Sequence, residues 1–345
     1  MNWLSIFWVF SHFLSAIAIF IGMHRRFPVA FIILGIQLLI FSLKAISYDL
    51  VYYLENFSNP SDSFEIGFNL LTLFLNLISG GNPYFSLWLV QIGGAAFFIY
   101  LLATAHNRTV KIKFTSLDWF STAVAFSLTL FYFMGSQNVL RQFLATMLVG
   151  YSGLLMYHNR KTKAFLLMIL AVTVHFGTII FVVISLAAVL LLRCHYAVSI
   201  PAFMIGGTLM TLFLKIIAPD LEYLIIDFAT GDERTGGSTK AIVYFLFLLI
   251  SYAIIAGSRE KFEVVISTVI KLRFFLFFFA LPFAIFNLDE FYSRIIFPLF
   301  FLDSILICRS FIHGSSDRYN YSSSFLLFSY AFAPNVHNLL SVLDA

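Results

Sequence analysis

Long apolar segments alternate with short polar turns along almost the entire chain. The first two segments, roughly 2–23 and 28–47, are each long enough to cross a ~30 Å hydrocarbon core at ~1.5 Å per helical residue. The same criterion predicts further spans near 85–105, 117–135, 138–157, 197–218, 241–257, 272–287, 295–309 and 321–342. This pattern is typical of an all-α, polytopic integral membrane protein.

Two apolar segments depart from the ordinary length of a span. The run 66–79 has only fourteen residues, which suits an interfacial or re-entrant helix. The run 164–192 would be about 43 Å long as one straight helix, and fitting it into a bilayer requires an unusually large tilt. Because Gly177 follows His175 closely, we predict a re-entrant or broken-helix pair near 164–192. With this pair the sequence predicts about 11–12 transmembrane segments.

Composition and charge fit this organisation. Charged residues make up 11% of the 345, against about 25% in soluble domains, and the mean hydropathy is +0.93. We therefore predict a single transmembrane domain over 1–345, with outer loops at about 48–84 and 219–240. If 66–79 does not cross and 164–192 turns back, all but six of the 21 Lys and Arg lie inside, as the positive-inside rule expects. These basic turns explain the net charge of +4, so we predict a lipid bilayer partner and no nucleic acid.

Eight polar residues are predicted to share the outer side of the membrane. Ionisable groups in lipid are expensive and persist mainly where they face a protein interior or a water-filled cavity. Arginine matches phosphate oxygens with a planar fork, and histidine can take up a proton near neutral pH. The eight residues are Asp49, Glu65, Arg141, Gln142, His175, Arg234, Tyr292 and Arg294.

Several kinds of chemistry fit this set. In glycosyl transfer from a polyprenyl diphosphate, a base deprotonates an acceptor hydroxyl and arginines stabilise the leaving diphosphate. The same residues could line a transport path for an anionic lipid or solute, and spacing alone does not separate the two. A structural interpretation is also open, in which Arg141 is an interfacial anchor and His175 caps a broken helix. The sequence has no Asp-x-Asp, His-Glu-x-x-His or Walker motif, so we predict no metal and no cofactor.

Three short motif regions carry a resemblance to a known family. They are Asn138-Val139-Leu140-Arg141-Gln142 with the later Val174-His175-Phe176-Gly177, the segment containing Asp49, Tyr53 and Glu65-Ile66-Gly67-Phe68, and Tyr292-Ser293-Arg294-Ile295. In this order they resemble the EpsG-like polysaccharide polymerases, which group with the Wzy polymerases of O-antigen and capsule synthesis. Phe68 and Gly177 depart from the family's pattern, in which tyrosine and serine are common at these positions.

The resemblance implies a metal-independent glycosyltransferase at the periplasmic face of a bacterial inner membrane. Its donor and acceptor would both be undecaprenyl-diphosphate-linked oligosaccharides, with a chain-length regulator and a flippase as candidate protein partners. On this basis the predicted catalytic residues are His175, Glu65 and Asp49, and the predicted substrate-binding residues are Arg141, Gln142, Arg294, Tyr292 and Arg234. The alternatives are a transporter or flippase for lipid-linked glycans and an O-antigen ligase. A flippase is disfavoured because the intramembrane ionisable residues lean outward.

Overall fold

The computed structural model of the chain describes most of its residues. The described ranges are 3–23, 27–43, 48–59, 64–109, 114–137, 139–157, 159–191, 194–217, 264–286, 288–311 and 317–333. Within these ranges the chain forms fourteen α-helices and no strand. The predicted all-α class is therefore confirmed.

The helices are numbered in chain order. The first seven are α1 (Trp3–Phe20), α2 (Phe27–Leu43), α3 (Tyr48–Ser58), α4 (Ile66–Ser79), α5 (Pro83–Thr109), α6 (Ser116–Ser127) and α7 (Leu130–Gln137). The other seven are α8 (Leu140–Tyr157), α9 (Lys161–Val174), α10 (Thr178–Leu191), α11 (Tyr196–Ile217), α12 (Val264–Ile285), α13 (Asp289–Phe311) and α14 (Asp317–Ala331).

Several of these helices are able to cross a membrane. Within the described ranges, four are long and apolar enough, and they are Trp3–Phe20, Pro83–Thr104, Ala197–Ile216 and Thr268–Ile285. The bent pair Ser116–Ser127 and Leu130–Ser136 makes a fifth if it is one span. The polytopic membrane class is therefore confirmed. The predicted span near 241–257 lies outside the described residues, and the count of about 11–12 spans and their sidedness stay predictions.

The fourteen-residue run predicted to be a short helix forms α4 with the same bounds. It ends at Gly80, whose φ of 62° lies in the left-handed region that glycine adopts without strain. The segment before it differs from the sequence interpretation, because 48–58 forms the helix α3 within the predicted outer loop. Leu50, Leu54 and Phe57 recur at helical spacing and are all buried, which gives α3 one packed face.

Two apolar stretches are interrupted, 164–192 and 117–135. The predicted break in 164–192 is confirmed, since α9 ends at Val174 and α10 begins at Thr178. The return of that pair to the inner side stays a prediction. The segment 117–135 was predicted as one span but bends by 67° between α6 and α7. There the Thr129 hydroxyl accepts from the Tyr132 N–H at 3.3 Å, a local bond that competes with the helical pattern.

The chain divides into two compact units, residues 1–179 with 303–345, and residues 180–302. In the first unit α1 packs on α2 and α14, and the Trp8 indole donates to the Tyr330 carbonyl at 3.1 Å. In the second unit α11 packs on α12. A Cβ at Gly207 would lie 2.2 Å from the Phe279 carbonyl oxygen, so this glycine lets the two helices approach closely.

Candidate functional site

The break between α9 and α10 places His175 in extended backbone. His175 is the C-cap of α9, with φ −152° and ψ 110°. Its N–H donates to the Ala171 carbonyl, and its own carbonyl accepts from the Thr178 N–H, both at 3.0 Å. The backbone of His175 is thus used by both helices. Its imidazole makes no hydrogen bond to either helix in the described part of the chain, so His175 caps α9 through its backbone and not through its side chain.

The partner of the imidazole is Glu65, the N-cap of α4. The Glu65 side chain does not cap its own helix. Its Oε1 lies 3.1 Å from His175 Nδ1 and accepts from the Phe176 N–H at 3.2 Å. Its Oε2 accepts from Arg141 Nη1. One carboxylate therefore joins the residue predicted as base to the residue predicted to bind diphosphate.

A close approach of α4 to α9 seats this carboxylate. A Cβ built at Gly67 would lie 2.6 Å from Thr173 Oγ1 and 2.8 Å from the Thr173 carbonyl carbon. Real side chains do not pack at these distances, so a glycine is required for the two backbones to meet here. Because Glu65 begins α4 and His175 ends α9, this contact brings their side chains within hydrogen-bonding reach.

Arg141 lies in the first turn of α8 and is enclosed from several sides. The Phe64 ring lies over the guanidinium, with 4.5 Å from Cζ to the ring centroid. The Tyr53 hydroxyl also hydrogen-bonds to it, and the rings of Tyr53 and Phe64 stack 5.7 Å apart. Arg141 Nε is buried and has no hydrogen-bond partner among the described residues. Although Nε is enclosed, the Arg141 side chain as a whole keeps an exposed fraction of 25%.

The charges of the cluster determine which form Glu65 takes. Burial alone would raise the pKa of Glu65, but the hydrogen bond from His175 and the charge of Arg141 outweigh burial and lower the pKa to about 2. Glu65 is therefore ionised at neutral pH. An ionised carboxylate only accepts hydrogen bonds, which assigns the proton between the two groups to His175 Nδ1. In a neutral imidazole the lone pair then belongs to Nε2.

The second ring nitrogen of His175, Nε2, has no bonding partner in the described part of the chain. A Cβ added at Gly177 would lie 2.9 Å from this nitrogen, so the glycine keeps one approach to it clear. Ile66 and Phe176, next to Glu65 and His175 in the chain, are exposed apolar residues. The arrangement offers a histidine whose Nδ1 is held by a carboxylate and whose Nε2 carries the lone pair. It lies beside the Arg141 cation, at the surface of the helix packing.

Three of the eight predicted site residues, Glu65, Arg141 and His175, are in direct contact. Gln142 is half-buried and follows Arg141 on α8, and Asp49 lies in the first turn of α3. Tyr292 and Arg294 both lie on α13, in the other compact unit, where Tyr292 is buried and Arg294 is exposed. Arg234 lies outside the described residues.

Two residues of the cluster, Tyr53 and Phe64, were not predicted as site residues. The sequence does carry a signal for each. Tyr53 follows Asp49 at helical spacing and therefore lies on the same face of α3. Phe64 directly precedes Glu65, so any partner of the carboxylate lies within reach of its ring.

The helices and this partly buried ionic cluster define a polytopic membrane protein with a polar site at helix ends. The family model of the EpsG family matches residues 26–342. The chain therefore belongs to the EpsG family, which confirms the resemblance found in its motifs and indicates a polysaccharide polymerase-like function. The comparisons with curated proteins and with solved structures each returned no match.

Proposed function

We propose that this protein is a polysaccharide polymerase that transfers a growing glycan from undecaprenyl diphosphate to the non-reducing end of a lipid-linked repeat unit. The observation that carries the proposal is the carboxylate of Glu65, which contacts both Arg141 and His175. Glycosyl transfer from a diphosphate needs a base for the acceptor hydroxyl and a cation for the leaving group. The cluster supplies both within the reach of one side chain.

In this proposal His175 is the base. Its Nε2 takes the proton of the acceptor hydroxyl while the hydroxyl oxygen forms a bond to the anomeric carbon of the donor sugar. Glu65 holds the Nδ1–H, so the lone pair is on Nε2, and the carboxylate then stabilises the imidazolium that forms. Glu65 is thus a positioning residue that acts through His175.

Arg141 receives the leaving group. As the new bond forms, the bond between the anomeric carbon and the diphosphate oxygen breaks, and the electron pair stays on that oxygen. The Arg141 guanidinium keeps its charge when partly buried, and its side chain remains one-quarter exposed (25%) for contact with the phosphate oxygens. Undecaprenyl diphosphate departs as an anion, and the proposal assigns no step to a metal. Asp49, Gln142, Tyr292, Arg294 and Arg234 have no step in it either.

We further propose that the cluster faces the periplasm or exterior. Helices α8 and α9 pack against each other, and the turn at 159–160 lies between them in the chain. Arg141 begins α8 and His175 ends α9, so both lie at the end opposite this turn. The turn and the start of α9 carry Arg160, Lys161 and Lys163, all exposed, and such basic turns favour the cytoplasmic side.

A reconstituted assay tests the reaction itself. Purified protein in liposomes is given purified lipid-linked repeat units, and the glycans are separated on a gel. We expect a ladder of longer chains that appears with time and is absent with His175→Asn protein. Repeat units that stay at single length with the parent protein contradict the proposal.

A deletion strain separates the polymerase from the alternatives. Loss of long chains with single repeats retained indicates a polymerase. Loss of every repeat indicates a flippase, and free polymer with none attached to its final carrier indicates a ligase.

A further inference from the structure

The short helix α7 connects the bent span to the helix that carries Arg141. It has eight residues, lies at 67° to α6, and is followed almost directly by α8. A helix this short is not stable alone, so its direction depends on the contacts that neighbouring elements make with it. Interrupted helices also leave backbone carbonyls without a helical partner, and these must be satisfied in another way.

At the start of α7 the additional donor is His12 of α1, in the tautomer that carries its proton on Nε2. His12 is fully buried, and its Nε2 lies 2.8 Å from the carbonyl oxygen of Leu128, in the break between α6 and α7. No backbone N–H among the described residues donates to this carbonyl, because the Tyr132 N–H turns to Thr129 Oγ1. His12 thus replaces the helix hydrogen bond that the break removes. The Trp8 ring, one turn earlier on α1, also packs on Phe133 of α7 at 4.6 Å.

At the end of α7 the additional donor is Gln91 of α5. Its Nε2 donates to the Ser136 carbonyl at 3.0 Å. Both ends of α7 are therefore bound by side chains from other helices. Each bond joins a polar side chain of a predicted span to a backbone carbonyl next to an interruption.

One tight contact between α7 and α8 couples the position of α7 to that of Arg141. A Cβ at Gly135 in α7 would lie 2.4 Å from the Phe143 ring, so this ring packs directly on the α7 backbone. Phe143 shares the first turns of α8 with Arg141. A shift of α7 would therefore move the start of α8 and draw Arg141 away from Glu65.

We propose that His12 and Gln91 are positioning residues that hold α7 at both ends and thereby fix Arg141 in the site. The claim that His12 and Gln91 hold α7 in place rests only on their hydrogen bonds to its two ends. The consequence for the reaction rests on the proposed function, in which Arg141 binds the donor diphosphate.

The test uses the full-length protein with His12→Leu, His12→Gln and Gln91→Leu. Glutamine keeps an N–H donor near the position of Nε2, so it should rescue what leucine loses. Thr211→Val is the matched control, because Thr211 is a buried residue of α11 whose hydroxyl donates to the Gly207 carbonyl and not to α7. If His12→Leu fails to accumulate, Gln91→Leu, at a half-buried position, carries the same test.

The first measurement is hydrogen–deuterium exchange of the amides in 130–137. Loss of one bond should raise their exchange by about 5- to 10-fold in His12→Leu and Gln91→Leu, with His12→Gln and Thr211→Val close to the parent protein. Unchanged exchange in both leucine variants would overturn the hold on α7. This measurement does not require activity. An inactive parent protein would therefore refute the proposed function and leave the test of the α7 contacts unaffected.

The second measurement is kcat/KM for the lipid-linked donor. Because misplacement of a binding group by about 1 Å can lower rates by about 10²-fold, we expect His12→Leu and Gln91→Leu to lose about 10- to 10²-fold, with recovery in His12→Gln. Faster exchange in α7 with parental kcat/KM would overturn the link to Arg141. A loss in His12→Gln as large as in His12→Leu would do the same.

Discussion

His12 and His175 are two buried histidines of the same compact unit, with opposite surroundings. His12 lies within α1, and its ring nitrogens lie 3.0 Å from the Trp8 carbonyl oxygen and 2.8 Å from the Leu128 carbonyl oxygen. His175 lies at a helix end, with Nδ1 held by the Glu65 carboxylate. Each ring nitrogen of His12 faces a backbone carbonyl oxygen, whereas Nε2 of His175 has no bonding partner among the described residues.

The difference shows which feature makes a buried histidine available for proton transfer. A neutral ring with a backbone carbonyl oxygen beside each nitrogen donates its one N–H to one of them and has no nitrogen left for a substrate. With its proton on Nε2, His12 completes the broken helix at Leu128. A ring held at one nitrogen by an ionised carboxylate presents the other nitrogen in a fixed tautomer. The kind of partner therefore separates the two roles, whereas burial does not.

The largest expected effect is the loss of the base in His175→Asn. Asparagine keeps a hydrogen-bonding group of similar size but cannot take the proton, so the polymerisation rate should fall by about 10²–10⁴-fold. The rate is measured with purified lipid-linked repeat units. His12→Gln is the comparison, because it alters the other buried histidine while keeping a donor, and it should remain close to the parent rate. A near-parental rate in His175→Asn would make His175 structural and move the base to Glu65 or Asp49.

The next effect concerns the cation beside His175. Arg141→Lys keeps the charge but loses the planar fork, so stabilisation of the leaving diphosphate should weaken and kcat/KM should fall by about 10²–10³-fold. Arg160→Lys is the matched control, since Arg160 is exposed and lies before α9, at the opposite end from the cluster. Chains of normal length from Arg141→Lys at a normal protein level would rule out this role for Arg141.

A smaller effect is expected from the residue that supports Arg141. Tyr53→Phe removes the hydroxyl that hydrogen-bonds to the guanidinium and keeps the ring that stacks on Phe64. Loss of one such bond predicts a decrease in kcat/KM of about 5- to 10-fold. Tyr84→Phe, at an exposed position, provides the same chemical change away from the site and should have no effect. Equal values for the two variants would show that the Tyr53 hydroxyl does not support Arg141.

The smallest effect is on the acid dependence of stability. The pKa of Glu65 is lowered on folding from 4.5 to about 2, by His175 and Arg141 against the effect of burial. A carboxyl of this kind stabilises the folded state above its ordinary pKa, and the stabilisation is lost as the pH falls through the folded value. Thermal unfolding in detergent should therefore give a higher Tm for the parent protein than for Glu65→Gln near neutral pH. The difference in Tm between the two proteins should narrow below pH 4.5. A constant difference down to pH 3 would contradict the lowered pKa of Glu65.

The features that depend on short stretches of chain could be predicted from the sequence. The length of an apolar run decides whether a helix can cross a bilayer, and it gave the bounds of α4 at 66–79. An overlong run with a glycine near its middle cannot remain one straight helix, which located the break at His175 and Gly177. The order of short motifs indicated the EpsG family. In each case neighbouring residues alone carry the physical cause.

The composition of the site depended on the packing of distant segments. The sequence left open whether Glu65 or Asp49 pairs with His175, and the contact with Glu65 joins positions 110 residues apart. That contact exists because Gly67 lets α4 meet α9, and no local pattern records which helix lies opposite a glycine. The bend at Leu128 escaped prediction for a similar reason. An interrupted span is stable in an apolar environment when another element supplies the missing hydrogen bond, and here the donor is His12, 116 residues earlier in the chain.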